Sequence, residues 1–99
     1  MTRSAVIGAQ EALRLGLVDE VVPAAELMAR AEALGLEIAA NAPLAIKETL
    51  LAVNEGLDLP LDLALMREAL RFGHVCGTED MAEGAAAFLG KRAPAWKGR

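Results

Sequence analysis

Apolar and polar positions alternate along this chain at helical spacing, in short runs separated by Gly, Asn and Pro. Over residues 9–15, Ala9, Ala12, Leu13 and Leu15 make an apolar stripe while Gln10, Glu11 and Arg14 face water. Gly16 falls where that helix stops, because glycine takes the left-handed backbone that other residues resist. Leu17, Val18, Val21 and Val22 flank the polar Asp19-Glu20 pair and predict a short strand, which Pro23 closes by lacking a ladder donor. A second helix is predicted over 24–40, with Leu27, Ala31, Leu34 and Ile38 on one face. Gly35 sits inside it at a cost of about 1 kcal/mol against Ala.

Asn41-Ala42-Pro43 ends one helix and opens the next, with Pro43 suited to a first-turn position. The third helix, 43–55, carries Ile46, Leu50 and Val53 on one side and Leu44 and Leu51 on another, with Gly56 as its stop. Asp58-Leu59-Pro60 starts a fourth, to about Val75, whose Leu61, Leu63, Leu65, Met66, Leu70 and Phe72 spread over more than one stripe. Thr78 is placed to cap a fifth helix ending at Leu89, with Glu79 and Asp80 where the helix dipole favours acids. The fold class is therefore mainly α: about five helices plus one short strand.

Ninety-nine residues suit one domain. With 55% apolar residues and only three aromatics, its core would be built from Ala, Leu and Val. Short helices cannot turn all of these apolar faces inward, so some should remain exposed, and exposed apolar patches mark contact surfaces.

The net charge of −4 is unevenly spread: residues 1–90 hold six basic and 14 acidic side chains, whereas 91–99 hold four basic and no acidic ones. A basic tail on an acidic body suits a phosphate-bearing ligand, an acidic neighbour or a plain solvated terminus. The overall sign and the scarcity of aromatics speak against nucleic acid as a partner. One cysteine excludes an internal disulfide and suits a reducing, cytoplasmic compartment. No apolar run approaches the ~20 residues of a membrane span, so no membrane partner is expected. His74 and Cys76 are the sole residues of their types. Two apart on a helix they face different ways, and they are too few for a zinc site. A buried thiol and a surface imidazole are expected, with no metal. Gly84 to Arg92 misses the phosphate-loop spacing by one residue and lacks its Ser or Thr. Glu55-Gly56 and Glu83-Gly84 read as helix chemistry.

Two separated motifs carry a family resemblance. IGAQEALRLGLVDEVVP, from Ile7 to Pro23, resembles the segment that opens the C-terminal part of enoyl-CoA hydratase/isomerase (crotonase) family proteins, an Ile-x-Ala-x-x-Ala helix followed by Gly-Leu-Val and Val-x-Pro. GTEDMAEGAAAFLGKRAPAWKGR, from Gly77 to Arg99, resembles the close of the same family. There are departures: Ser4 stands where glycine is frequent, Gly90 replaces a common glutamate, Cys76 a large apolar residue and Trp96 a phenylalanine.

The resemblance implies the C-terminal helical portion of a crotonase-like fold, without the N-terminal ββα spiral core. It divides the chain into a junction remnant (1–23), a helical oligomerisation region (24–90) and a basic tail (91–99). Implied partners are acyl-CoA, and either the missing core or further copies in a trimer or hexamer. The implied parent reaction, in fatty acid metabolism, is hydration or isomerisation of 2-enoyl-CoA thioesters, with CoA thioester as substrate and no tightly bound cofactor. The family's catalytic glutamates and oxyanion-hole loops lie upstream of the matched segments, so no catalytic residue is assigned here and the chain is not expected to be active alone. Two cofactor-binding positions are implied: Phe72, matching an aromatic near the adenine end of CoA bound mainly by an adjacent subunit, and Lys91, matching a lysine that reaches the CoA phosphates. Arg92 is the next substitute for Lys91, and Phe72 at helical spacing equally suits a core. The rival reading is an independent helical oligomerisation or protein-interaction module with no CoA role.

Overall fold

The computed structural model describes residues 6–99, so Ser4 lies outside the described residues. The chain divides into two compact units, residues 1–35 and 36–99.

In the first unit, α1 (Ala9–Arg14) is closed by an Arg14–Glu11 ion pair one turn apart. It ends as its sequence dictates. Gly16 adopts φ +72° and its N–H reaches Leu13 O at 3.0 Å, while Leu17 N–H reaches Ala12 O at 2.9 Å. These are the two bonds of a Schellman close, which satisfy the helix's last carbonyls.

The strand expected over 17–22 is not formed, and no strand occurs among the described residues. A ladder needs a second strand to take its N–H and C=O groups, and the sequence holds no other β-branched run. A side-chain fork holds the segment instead: Arg30 donates through Nε to Glu20 Oε2 at 2.7 Å and through Nη2 to Oε1 at 2.5 Å. Ala24–Glu26 forms a 3₁₀ turn leading into α2 (Leu27–Ala39), which runs through Gly35.

In the second unit, the Asn41 side-chain amide donates to Glu37 O and Ile38 O, both at 3.1 Å, and closes the end of α2. Then come α3 (Pro43–Gly56), with Pro43 in its first turn, α4 (Leu61–Cys76) and α5 (Glu79–Leu89). The Thr78 hydroxyl accepts from Met81 N–H at 3.1 Å, the expected cap. The antiparallel α3–α4 pair is the main packing unit, whereas α4 and α5 touch sparingly. An arginine bridges the pair: Arg71 donates to Glu48 at 2.7 Å and to Glu55 at 2.5 Å. Glu48 and Glu55 are seven residues apart and therefore share one face of α3.

The leftover apolar surface is large. Ala87 and Asp80 are the buried residues among those described, while Leu50, Val53, Leu57, Leu61, Met66, Leu70, Phe88 and Leu89 are all exposed. Cys76 is exposed, not buried as expected: it is the last residue of α4, which α5 touches only sparingly. His74 is exposed as expected. No helix among the described residues is long and apolar enough to cross a membrane.

Candidate functional site

The basic tail does not fray. It folds back as a strap along α5, held by acids of that helix. Asp80, only 2% exposed, accepts from Lys97 N–H at 2.7 Å and from Gly98 N–H at 2.9 Å, and its own N–H donates to Arg99 O at 3.2 Å. Glu83 accepts the Arg92 guanidinium in a fork at 2.6 and 2.9 Å and also Ala95 N–H at 2.7 Å. Glu79 takes Lys97 at 3.2 Å and Arg99 at 3.3 Å. Trp96 seals the strap: its indole N–H donates to Ala40 O at 2.7 Å, and a Cβ at Gly84 would lie 3.2 Å from its ring. A larger residue there would require the ring to shift by a few tenths of an ångström. Asp80, Glu83 and Trp96 were not singled out as a group from sequence. The charge asymmetry left an acidic neighbour as one of three readings of the tail, and the acids it meets are those of α5 in the same chain.

Three of the four basic residues in the strap are thus engaged by acids. Lys91 is the exception: it is exposed and its side chain makes no hydrogen bond or ion pair among the described residues. Its backbone is unusual, with φ +49°. Gly90 keeps a right-handed backbone as the helix cap, which places Lys91 in the left-handed position after it. Lys91 N–H reaches Phe88 O at 3.2 Å and Arg92 N–H reaches Ala87 O at 3.1 Å, a Schellman close made without glycine. A non-glycine residue there stores of order 1–3 kcal/mol of strain, of the kind found at ligand clamps. Arg92, the sequence-level substitute for Lys91, is held by Glu83 and is not free to play that part.

Phe72 is 62% exposed. It lines an apolar groove of about 480 Å³ between α3 and α4, together with Ala45, Ala52, Val53, Leu61 and Val75. Lys91 does not line that groove, so the two candidate residues sit at separate places and are not gathered into one cavity. No group of three or more metal-binding side chains occurs among the described residues.

The electrostatics follow the forks. The Arg92 guanidinium, with the Ala95 N–H behind it, pulls the Glu83 carboxyl from its ordinary 4.5 down to about 2, and Lys97 adds a weaker pull. Arg71 lowers Glu55 in the same way, and Arg30 lowers Glu20. A carboxylate depressed in the fold contributes stability that is complete above its unfolded value and is lost as pH falls towards the folded one. The strap should therefore stay docked above pH 4.5 and release between 4.5 and 2. Trp96 is the only tryptophan and there is no tyrosine, so fluorescence reads the strap directly. Emission should be constant above that window and shift to the red within it; an unchanged spectrum down to pH 2 would contradict the assignment.

With this geometry in view, known proteins show likeness over nearly the whole chain. The family model described as enoyl-CoA hydratase/isomerase matches residues 1–99. The short-chain-enoyl-CoA hydratase of Clostridium acetobutylicum is 43% identical over 86 residues, covering 87% of this chain and 33% of that protein. The (E)-benzylidenesuccinyl-CoA hydratase of Thauera aromatica is 41% identical over 93 residues, covering 94% and 36%. An enoyl-CoA hydratase/isomerase structure from Mycobacterium paratuberculosis matches with a TM-score of 0.91 at 41% identity, covering 94% of this chain and 37% of that one. The chain spans about a third of the length of the relatives it matches.

Proposed function

We propose a function for a chain that belongs to the enoyl-CoA hydratase/isomerase family: it is the C-terminal assembly region of such a protein and forms one wall of the CoA pocket through Phe72 and Lys91. The parent reaction is hydration or isomerisation of a 2-enoyl-CoA thioester in the cytoplasm. The exposed helix faces seat against further copies, in a trimer or hexamer, or against the family's spiral core. The observation that carries the CoA reading is the free ammonium of Lys91 at the end of a strap whose other cations are all engaged. A compact point charge on a flexible stem suits phosphate, and an exposed aromatic face suits stacking on a purine.

The acids support a non-catalytic role. A general base must be free to take a proton near the operating pH. Glu83, held down at about 2, is far too weak a base, and Glu48 and Glu55 are bound to Arg71.

Titration of the chain with coenzyme A tests the reading. Lys91→Met should weaken binding about two- to fivefold, the worth of one exposed phosphate contact, and the chain should not consume crotonyl-CoA. Unchanged binding in Lys91→Met would favour the independent interaction module. Turnover of crotonyl-CoA would overturn the claim of inactivity.

A further inference from the structure

The left-handed turn at Lys91 is restrained from both sides. Its neighbours are fixed by one carboxylate, since Glu83 takes Arg92 on one side of the turn and Ala95 N–H four residues beyond Lys91. The helix supplies the other restraint through Ala87 O and Phe88 O. Between these restraints, Lys91 takes up the change of chain direction after Gly90 at φ +49°. Glu83 is itself half-buried and points its two oxygens at the strap, so it is unsuited to contact a phosphate.

We propose that Glu83 is the positioning residue for Lys91: by clamping Arg92 and Ala95 it fixes the strained turn and with it the direction in which the Lys91 ammonium leaves the protein. The inference rests on the reading of Lys91 as a phosphate contact. It adds that this contact is preorganised by an acid, which by charge alone would be expected to oppose an anionic ligand. Preorganisation raises affinity by removing the ordering cost from the binding step.

Two measurements test it. First, the Lys91 backbone conformation is read by NMR couplings and amide shifts in Glu83→Gln without ligand. The left-handed population should fall while the amides of α5 up to Ala86 keep their helical shifts. A Lys91 that stays left-handed in Glu83→Gln would overturn the inference. Second, coenzyme A affinity is measured for the unmodified chain, Glu83→Gln, Lys91→Met and the double variant. Glu83→Gln should weaken binding about two- to fivefold when Lys91 is present and not at all in the Lys91→Met background, the non-additivity of groups in one network. Equal losses in both backgrounds would make Glu83 a merely structural residue and sink the inference while leaving Lys91 its role. A neutral Lys91→Met, or no coenzyme A binding by the unmodified chain, would instead sink the reading of Lys91 and the inference with it. Glu83→Asp, which keeps the charge, should restore part of the affinity lost in Glu83→Gln.

Discussion

Replacing Asp80 with alanine is expected to free the C-terminal strap and to cost about 3 kcal/mol of stability. The side chain is the most deeply buried polar group described and accepts two backbone N–H bonds from Lys97 and Gly98. Hydrogen bonds to a charged group contribute about 1.5–3 kcal/mol each. The recovered chain entropy of the strap offsets part of that loss. Because the strap carries Trp96, which covers Gly84 and closes the end of α2 at Ala40, its release also exposes the small-residue face of α5. Urea denaturation followed by circular dichroism gives the stability, and the emission maximum of Trp96 gives the docking. Asp80→Ala should lower the first and shift the second to the red even without urea. Asp80→Asn, which keeps a single acceptor oxygen, should fall between. An Asp80→Ala chain within about 0.5 kcal/mol of the unmodified one, the range of ordinary surface changes, would contradict this account of the strap.

Phe88→Gln is expected to weaken self-association about 10- to 100-fold while leaving the helices intact. Phe88 is 84% exposed and its neighbour Leu89 81%, two large apolar side chains in sequence at the end of a helix. Burying a side chain of this size contributes about 1.5–3 kcal/mol, which is that factor in a dissociation constant. In the isolated chain Phe88 contacts little, so its replacement should change the unfolding free energy by no more than about 0.5 kcal/mol. Glutamine avoids placing an acid near the helix C-terminus, where it would oppose the dipole. Sedimentation velocity at matched concentrations would show a shift towards lighter species; an unchanged distribution would remove α5 from the contact surface.

Local signals in the sequence located most of the helices and their ends. Gly16, Pro43 and Thr78 each act through the backbone of their own few residues, so their roles could be read without knowing the rest of the fold. The strand over 17–22 failed because strand formation depends on a partner that the sequence does not contain. The left-handed residue after α5 was obscured for a smaller reason: the helix cap falls on Gly90, so the strained position falls on Lys91. For the site, the charge imbalance left a phosphate, an acid or plain solvent as what the tail would meet. The pairings Asp80 with Lys97 and Gly98, and Glu83 with Arg92, join residues nine to 18 apart and depend on how the chain turns after α5. No periodicity encodes that. Arg71 was missed likewise, although the shared face of Glu48 and Glu55 could have pointed to a cation on the facing helix.

These exposed faces are the foundation of the account, which holds that the helices cover their apolar surface with another polypeptide. Sedimentation equilibrium of the unmodified chain over a wide concentration series tests it most directly. The account predicts a mean mass that climbs above the 10.4 kDa of one chain as concentration rises. A mass fixed at that single-chain value throughout would contradict it.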